Sequence, residues 1–291
     1  MENFNYLAPA SLAEAYSALG NGKRSLFLAG GTDIIVMLRE GRRSCDQLID
    51  VKHIPEMMSL AWGADGSLTI GAAVSCATLY ENPEIVKRLP AIVDSANIIG
   101  GIQIQSRASL GGNVCNSGPA ADSSPALMAL GTVCVIGSAA GTREVPIEQF
   151  FTGPGRNVLA PNELLISLKV PAQPARSGSF YHRFIPRNEM DIAVVGVGVR
   201  LQLDASGENV ESARVALGAV APTPIMVPSA AAAIVGQPAN AATFAKAGAA
   251  ASAAATPIDD MRGSIAQRKH LCNILTVRAL NEALKRAQEA R

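Results

Sequence analysis

Leu28-Ala29-Gly30-Gly31-Thr32-Asp33 closes a short apolar run that begins at Ser25, and Ile34-Ile35-Val36-Met37-Leu38-Arg39 follows it directly. The first run reads as a strand and the second as a helix that Gly41 ends. Two glycines between them permit positive φ and close backbone approach. Successive N–H groups in such a turn form a concave nest for phosphate oxygens, and a helix start behind Gly31 adds its dipole. A second pair occurs in Ser109-Leu110-Gly111-Gly112-Asn113. Either pair alone is most simply a tight turn. The second, however, sits in a stretch rich in Gly, Ser, Asn and Ala, from Gly100 to Pro125, that reads as one long loop. Loops of that length inside a compact domain are uncommon unless they are functional.

Outward from these turns, Ser11-Leu12-Ala13-Glu14 is a capping-box pattern opening a helix that Gly20-Asn21-Gly22 stops. Gln47 to Val51 reads as a strand. Met58 to Trp62 and Ser67 to Gly71 form a hairpin, as do Thr132 to Ile136 and Arg143 to Pro146. Leu164 to Val170 is a further strand, and Pro171-Ala172-Gln173-Pro174-Ala175 is the best linker. Two apolar β runs follow, Ile192 to Leu201 and Ser212 to Gly218. Helical segments come after them at Ala230 to Ile234, Ala241 to Ala253 and Lys269 to Ala290. No internal repeat is present. Strands and helices mix without strict βαβ alternation, which predicts an α+β fold. Gly196-Val197-Gly198 lacks the third glycine of a dinucleotide fingerprint, so a Rossmann site is disfavoured. Its two glycines are expected inside a strand packed closely against something.

At 291 residues, 48% hydrophobic and 17% charged, the chain has room for one large or two modest domains. A net charge of +1 with scattered basic residues argues against nucleic acid as partner. An aromatic content of 4% leaves little for stacking on single strands. The five cysteines include no CxxC pair, and His53, His182 and His270 lie far apart. That pattern opposes a disulfide framework, a metal site or an iron–sulfur cluster held by this chain alone. No apolar run approaches the length of a membrane span, and Met1 to Tyr6 lacks the features of a secretory signal. A cytoplasmic location with no membrane partner is expected.

Seven motifs in order then carry a resemblance. They are Leu28 to Ile34, Ala108 to Val114, Ala121-Asp122-Ser123-Ser124-Pro125, Phe151 to Gly155, Asn162 to Leu168, Arg183 to Ala193 and Leu217 to Pro224. Together they resemble the FAD-binding subunits of molybdopterin hydroxylases, the xanthine dehydrogenase and carbon monoxide dehydrogenase flavoprotein family, along essentially the whole chain. The resemblance implies a vanillyl-alcohol-oxidase-like (PCMH-type) FAD-binding domain over residues 1–174. A smaller α+β C-terminal domain of the carbon monoxide dehydrogenase flavoprotein type would occupy 175–291.

The site follows position by position from that resemblance. Leu28, Ala29, Gly30, Gly31, Thr32 and Asp33 would cradle the FAD pyrophosphate. Ser109, Gly112 and Asn113 would approach from the opposite side, and Asp122 would accept bonds from ribityl or ribose hydroxyls. Leu165 would pack on the flavin ring, and Arg183 would offer a cation near its pyrimidine end. Asp122 could instead cap a helix, and Asp191 is expected to pair with Arg187. Many relatives carry Arg-Asn where this chain has Gln105-Ser106. No residue would be catalytic in its own right, and none would bind metal.

The implied enzyme is an oxidoreductase of three kinds of subunit. A large molybdopterin-binding partner would select and oxidise the substrate, and a small partner would hold [2Fe-2S] clusters. FAD in this chain would collect the electrons and pass them to NAD. Two other readings stand beside this one. A free-standing FAD-dependent oxidoreductase would need a substrate pocket, for which the region after Pro174 is short and poor in aromatic and titratable residues. A flavin-less assembly protein would have lost the Gly-Gly turns and Asp122, which this chain keeps.

Overall fold

The computed structural model describes residues 2–187 and 189–290. The first strands form a small parallel sheet in which Gln47–Asp50 lies between Asn5–Leu7 and Ser25–Leu28. Helix Leu12–Leu19 connects two of them, and its capping box is realised. The Glu14 N–H donates to Ser11 Oγ at 3.3 Å, and Glu14 Oε2 accepts from the Ala10 N–H at 2.9 Å. Helix Ile34–Arg39 follows the first Gly-Gly turn as the sequence predicts.

Both predicted hairpins are present and lie in one antiparallel sheet. Its order is Leu60–Trp62, Leu68–Gly71, Leu164–Val170, Val133–Ser138 and Gly141–Pro146. The central strand Leu164–Val170 is buried along almost its whole length. A four-stranded antiparallel sheet follows, ordered Ser177–Phe184, Val195–Leu203, Val210–Gly218 and Ile225–Met226. Helices Ala241–Ala254 and Ile265–Glu289 pack on one another, and the latter also packs on this sheet. The long helix turns Cys272, Leu275, Ala279, Ala283 and Ala287 inward, a spacing of three or four residues that makes a single apolar stripe. The fold is α+β, with one apolar core under the first part and a second under the last sheet and its helices.

One expectation fails. Residues 100–125 are not a continuous loop: helices Ile102–Gln105 and Leu110–Asn116 lie within them, and Ser123–Leu130 begins there. Glycine weakens helices by about 1 kcal/mol each, so Leu110–Asn116 depends on burial of Leu110 and Val114 rather than on propensity. Every residue of Ser123–Leu130 is buried, which erases the polar face by which a helix is recognised. Strands Asn5–Leu7 and Ser177–Phe184 were also not foreseen; neither alternates cleanly between buried and exposed positions.

The Gly196-Val197-Gly198 expectation holds. Both glycines lie in strand Val195–Leu203, and a Cβ on Gly198 would overlap the Pro125 carbonyl. That contact joins the last sheet to helix Ser123–Leu130. A second link is ionic: Arg286 donates to both oxygens of Asp94, at 2.6 and 2.9 Å.

Candidate functional site

The two Gly-Gly motifs face a common cleft, with a cavity of about 300 Å³. Ala29, Gly30, Gly31, Thr32 and Asp33 line one side of it, and Ser109, Gly112 and Asn113 another. Leu165 and Leu164 lie on its wall with Ala72 and Met57. The only charged groups on the lining are Asp33 and Arg43, among the described residues. An anion here must therefore be held chiefly by backbone N–H groups and hydroxyls.

The glycines divide the work. Gly31 has φ of +82°, which a side-chain-bearing residue adopts only with strain. Gly30 serves contact between loops: a Cβ there would overlap the Arg107 carbonyl. In the second motif, Ser109 caps helix Leu110–Asn116 by accepting from the Gly112 N–H at 3.1 Å. Gly111 fits against the Ala72 backbone, and both it and Gly112 line the cleft. Asn113 Oδ1 accepts from the hydroxyl and the N–H of Ser123, at 2.6 and 3.3 Å, which fixes its side chain at the cleft. Burial raises the Asp33 carboxyl above the ordinary carboxylate range, against the pull of Arg42.

Three of the expected residues are placed elsewhere. Leu28 packs its side chain under the turn, against the small cluster of Leu38, Cys45 and Leu48. Asp122 and Arg183 are not on the cleft lining; they form a buried ion pair at 2.7 Å. Tyr181 completes the group by donating its hydroxyl to Asp122 at 2.8 Å, so both carboxylate oxygens are engaged. Burial pushes the Asp122 carboxyl up to about 6, and Arg183 and Tyr181 keep it from rising further. Asp122 does precede helix Ser123–Leu130, but its side chain makes no capping bond, so the capping alternative is corrected to an ion pair. Asp191 does pair with Arg187, at 3.3 Å.

Several supporting residues escaped sequence reasoning. Lys52 Nζ donates to the Ala29 carbonyl at 2.8 Å and to Asp50 at 2.6 Å, while the Tyr6 hydroxyl donates to the other Asp50 oxygen at 2.6 Å. This network holds the first turn from beneath. Burial tends to raise Asp50, but the bonds from Lys52 and Tyr6 leave it below its ordinary value. Asn157 and Leu159 add a further wall. Their segment is tied down by Asn157 donating to the Cys115 carbonyl at 2.9 Å and by Arg143, which bonds both Glu163 oxygens at 2.7 Å. Gln105 is buried and donates to the Asn97 carbonyl at 2.8 Å, so the departure at that position supports the loop below Arg107.

The cleft suits FAD in its donor chemistry. A nest with positive φ meets the start of a capped helix, and the adjoining wall is apolar, as a pyrophosphate joined to a flat ring system requires.

Comparison with known proteins agrees. Residues 2–173 match the family described as the FAD binding domain in molybdopterin dehydrogenase, and 180–283 match the CO dehydrogenase flavoprotein C-terminal domain. The chain is 32% identical over 284 residues to a xanthine dehydrogenase FAD-binding subunit of Escherichia coli O157:H7, covering 97% of each. It is 30% identical over 285 residues to the carbon monoxide dehydrogenase medium chain of Hydrogenophaga pseudoflava, covering 97% of this chain and 98% of that one. A solved structure of carbon monoxide dehydrogenase from the same organism superposes with a TM-score of 0.92, over 98% of both chains.

Proposed function

This chain belongs to the family of FAD-binding molybdopterin dehydrogenase subunits, and we propose that it is the electron-transfer subunit of a three-component molybdenum hydroxylase. Its partners on this reading are a large molybdopterin-binding subunit and a small [2Fe-2S] subunit, and NAD takes the electrons in the cytoplasm. The relatives support it: one is an FAD-binding subunit and another a medium chain, each matched along nearly its full length. We assign the FAD-binding domain to 1–174 and the second domain to 175–291.

When bound, FAD would supply the redox chemistry, linking one-electron donors to a two-electron acceptor. The chain's own residues bind and orient it. Backbone N–H groups of Gly30 and Gly31, with the Thr32 and Ser109 hydroxyls, are the proposed pyrophosphate donors, while Gly112, its N–H held by Ser109, approaches from the opposite side. Ala29, Asp33 and Asn113 complete the cradle, Leu28 supports it from below, and Leu165 packs on the ring. Asp122 and Arg183 act together, as an ion pair held by Tyr181, rather than as separate contacts. Lys52 fixes the Ala29 carbonyl and so aims the first turn. No member of the cleft needs to act as a nucleophile.

The observation that carries the assignment is the convergence of both Gly-Gly motifs and Leu165 on one cleft. The test is the visible spectrum of the purified chain, with identification of any cofactor released on denaturation. A flavin spectrum yielding free FAD is expected. A colourless chain that stays colourless with added FAD would overturn the assignment. Bleaching of that spectrum by NADH, without oxygen, tests the acceptor separately.

A further inference from the structure

Arg43 is the one cation on the cleft lining, among the described residues. The backbone sets its position. Helix Ile34–Arg39 ends at Glu40, and Gly41 turns the chain back with φ of +70°. The N–H groups of Arg42 and Arg43 then both donate to the Met37 carbonyl, at 2.9 and 3.3 Å, which ties the returning chain to the helix. Met37 lines the cleft as well.

Two neighbouring arginines are spent on carboxylates: Arg42 on Glu40 at 2.6 Å, and Arg24 on Asp46 at 2.9 Å. Arg43 is exposed and has no ion-pair partner among the described residues. Exposed arginines are often free, and Arg39 is another. Arg39, however, is absent from the cleft lining, whereas Arg43 stands on it.

The apolar part of that lining has two sources. Met57, Ala72, Leu164 and Leu165 belong to the main core of the first part. Leu26 and Ile34 pack instead on the small cluster of Leu38, Cys45 and Leu48. FAD carries a flat group at each end of its pyrophosphate. With the flavin on Leu165, the adenine falls to the second source, on the strand and helix that lead to Arg43.

Charge balance points the same way. The pyrophosphate is anionic, and Asp33 adds an acid to the lining. Backbone donors satisfy hydrogen bonds but carry no net charge, so Arg43 is the one group on the lining that offsets this negative charge. A guanidinium also presents donors along its edge to phosphate oxygens and a flat face to a purine.

We propose that Arg43 holds the adenylate half of FAD and is the residue by which this chain selects FAD over FMN, a role that rests on the assignment of FAD to this cleft.

The test is fluorescence titration of the full chain, freed of flavin, with FAD and with FMN, and with AMP as a competitor. AMP reports on the adenylate half without the flavin. Arg43→Gln should weaken FAD tenfold or more and FMN less than twofold, and AMP should compete at least tenfold more weakly. Arg39→Gln removes the same charge from outside the cleft and should change none of the three. Arg43 is exposed, so its variant keeps the fold, and an unchanged far-ultraviolet spectrum verifies this. Unchanged FAD affinity in Arg43→Gln, an equal loss for FMN, unchanged competition by AMP, or the same losses in Arg39→Gln would each overturn the role of Arg43 while leaving FAD in the cleft. A wild-type chain that binds neither flavin would overturn the assignment of FAD, and the role of Arg43 with it.

Discussion

Gly30 packs its α-carbon against the carbonyl of Arg107, so the loop after the first strand and the loop before helix Leu110–Asn116 meet with no side chain between them. The cleft takes its shape from this contact, because the two Gly-Gly motifs stand on either side of it.

Gly30→Ala should therefore separate the loops while leaving both cores intact. The expected result is loss of at least tenfold in FAD affinity, read by flavin absorbance after reconstitution, with an unchanged far-ultraviolet spectrum. Full flavin retention would show that the contact does not shape the cleft.

Lys52→Met removes the donor beneath the Ala29 carbonyl and leaves the buried Asp50 with Tyr6 as its remaining side-chain donor. A buried group that loses its charged partner costs roughly 1–3 kcal/mol. Thermal unfolding should register that loss, together with weaker flavin binding. Wild-type stability would mean that water replaces the lysine.

Asp122 provides a pH signature. Its carboxyl lies at about 6 in the folded chain, against about 4 when unfolded. Between those values the folded state holds more protons than the unfolded state, so its contribution falls as pH rises from about 4 to about 6 and is level above that. The change is on the order of 3 kcal/mol. Asp122→Asn, which mimics the protonated carboxyl, should flatten this part of the stability profile. Parallel profiles for the two proteins would place the titration elsewhere.

Gly198→Ala tests the junction between the two parts. The added methyl would meet the Pro125 backbone, which lies within a buried helix and has little freedom to move. Overpacking of this kind costs about 1–3 kcal/mol. Calorimetry should show a lower melting temperature, with the calorimetric enthalpy exceeding the van't Hoff value as the parts unfold separately. A single unshifted transition would show that the interface yields.

Much of this molecule was legible in its sequence because local chemistry decided it. Ser11 and Glu14 cap their helix with their own side chains, turn residues mark both hairpins, and Gly31 meets a backbone requirement that lies within a few residues. The ordered motifs likewise carried the family and nine of the cleft residues. Tertiary structure decided what depends on distant partners. Ser123–Leu130 is buried on every side and Leu110–Asn116 is rich in glycine, so packing, and not periodicity or propensity, makes them helices. Asp122 finds Tyr181 and Arg183 about sixty positions away, and Ala29 finds Lys52 in the turn after another strand. Charge and hydrogen-bond partners are set by proximity in space, and a linear pattern records them only when the partners are also close along the chain.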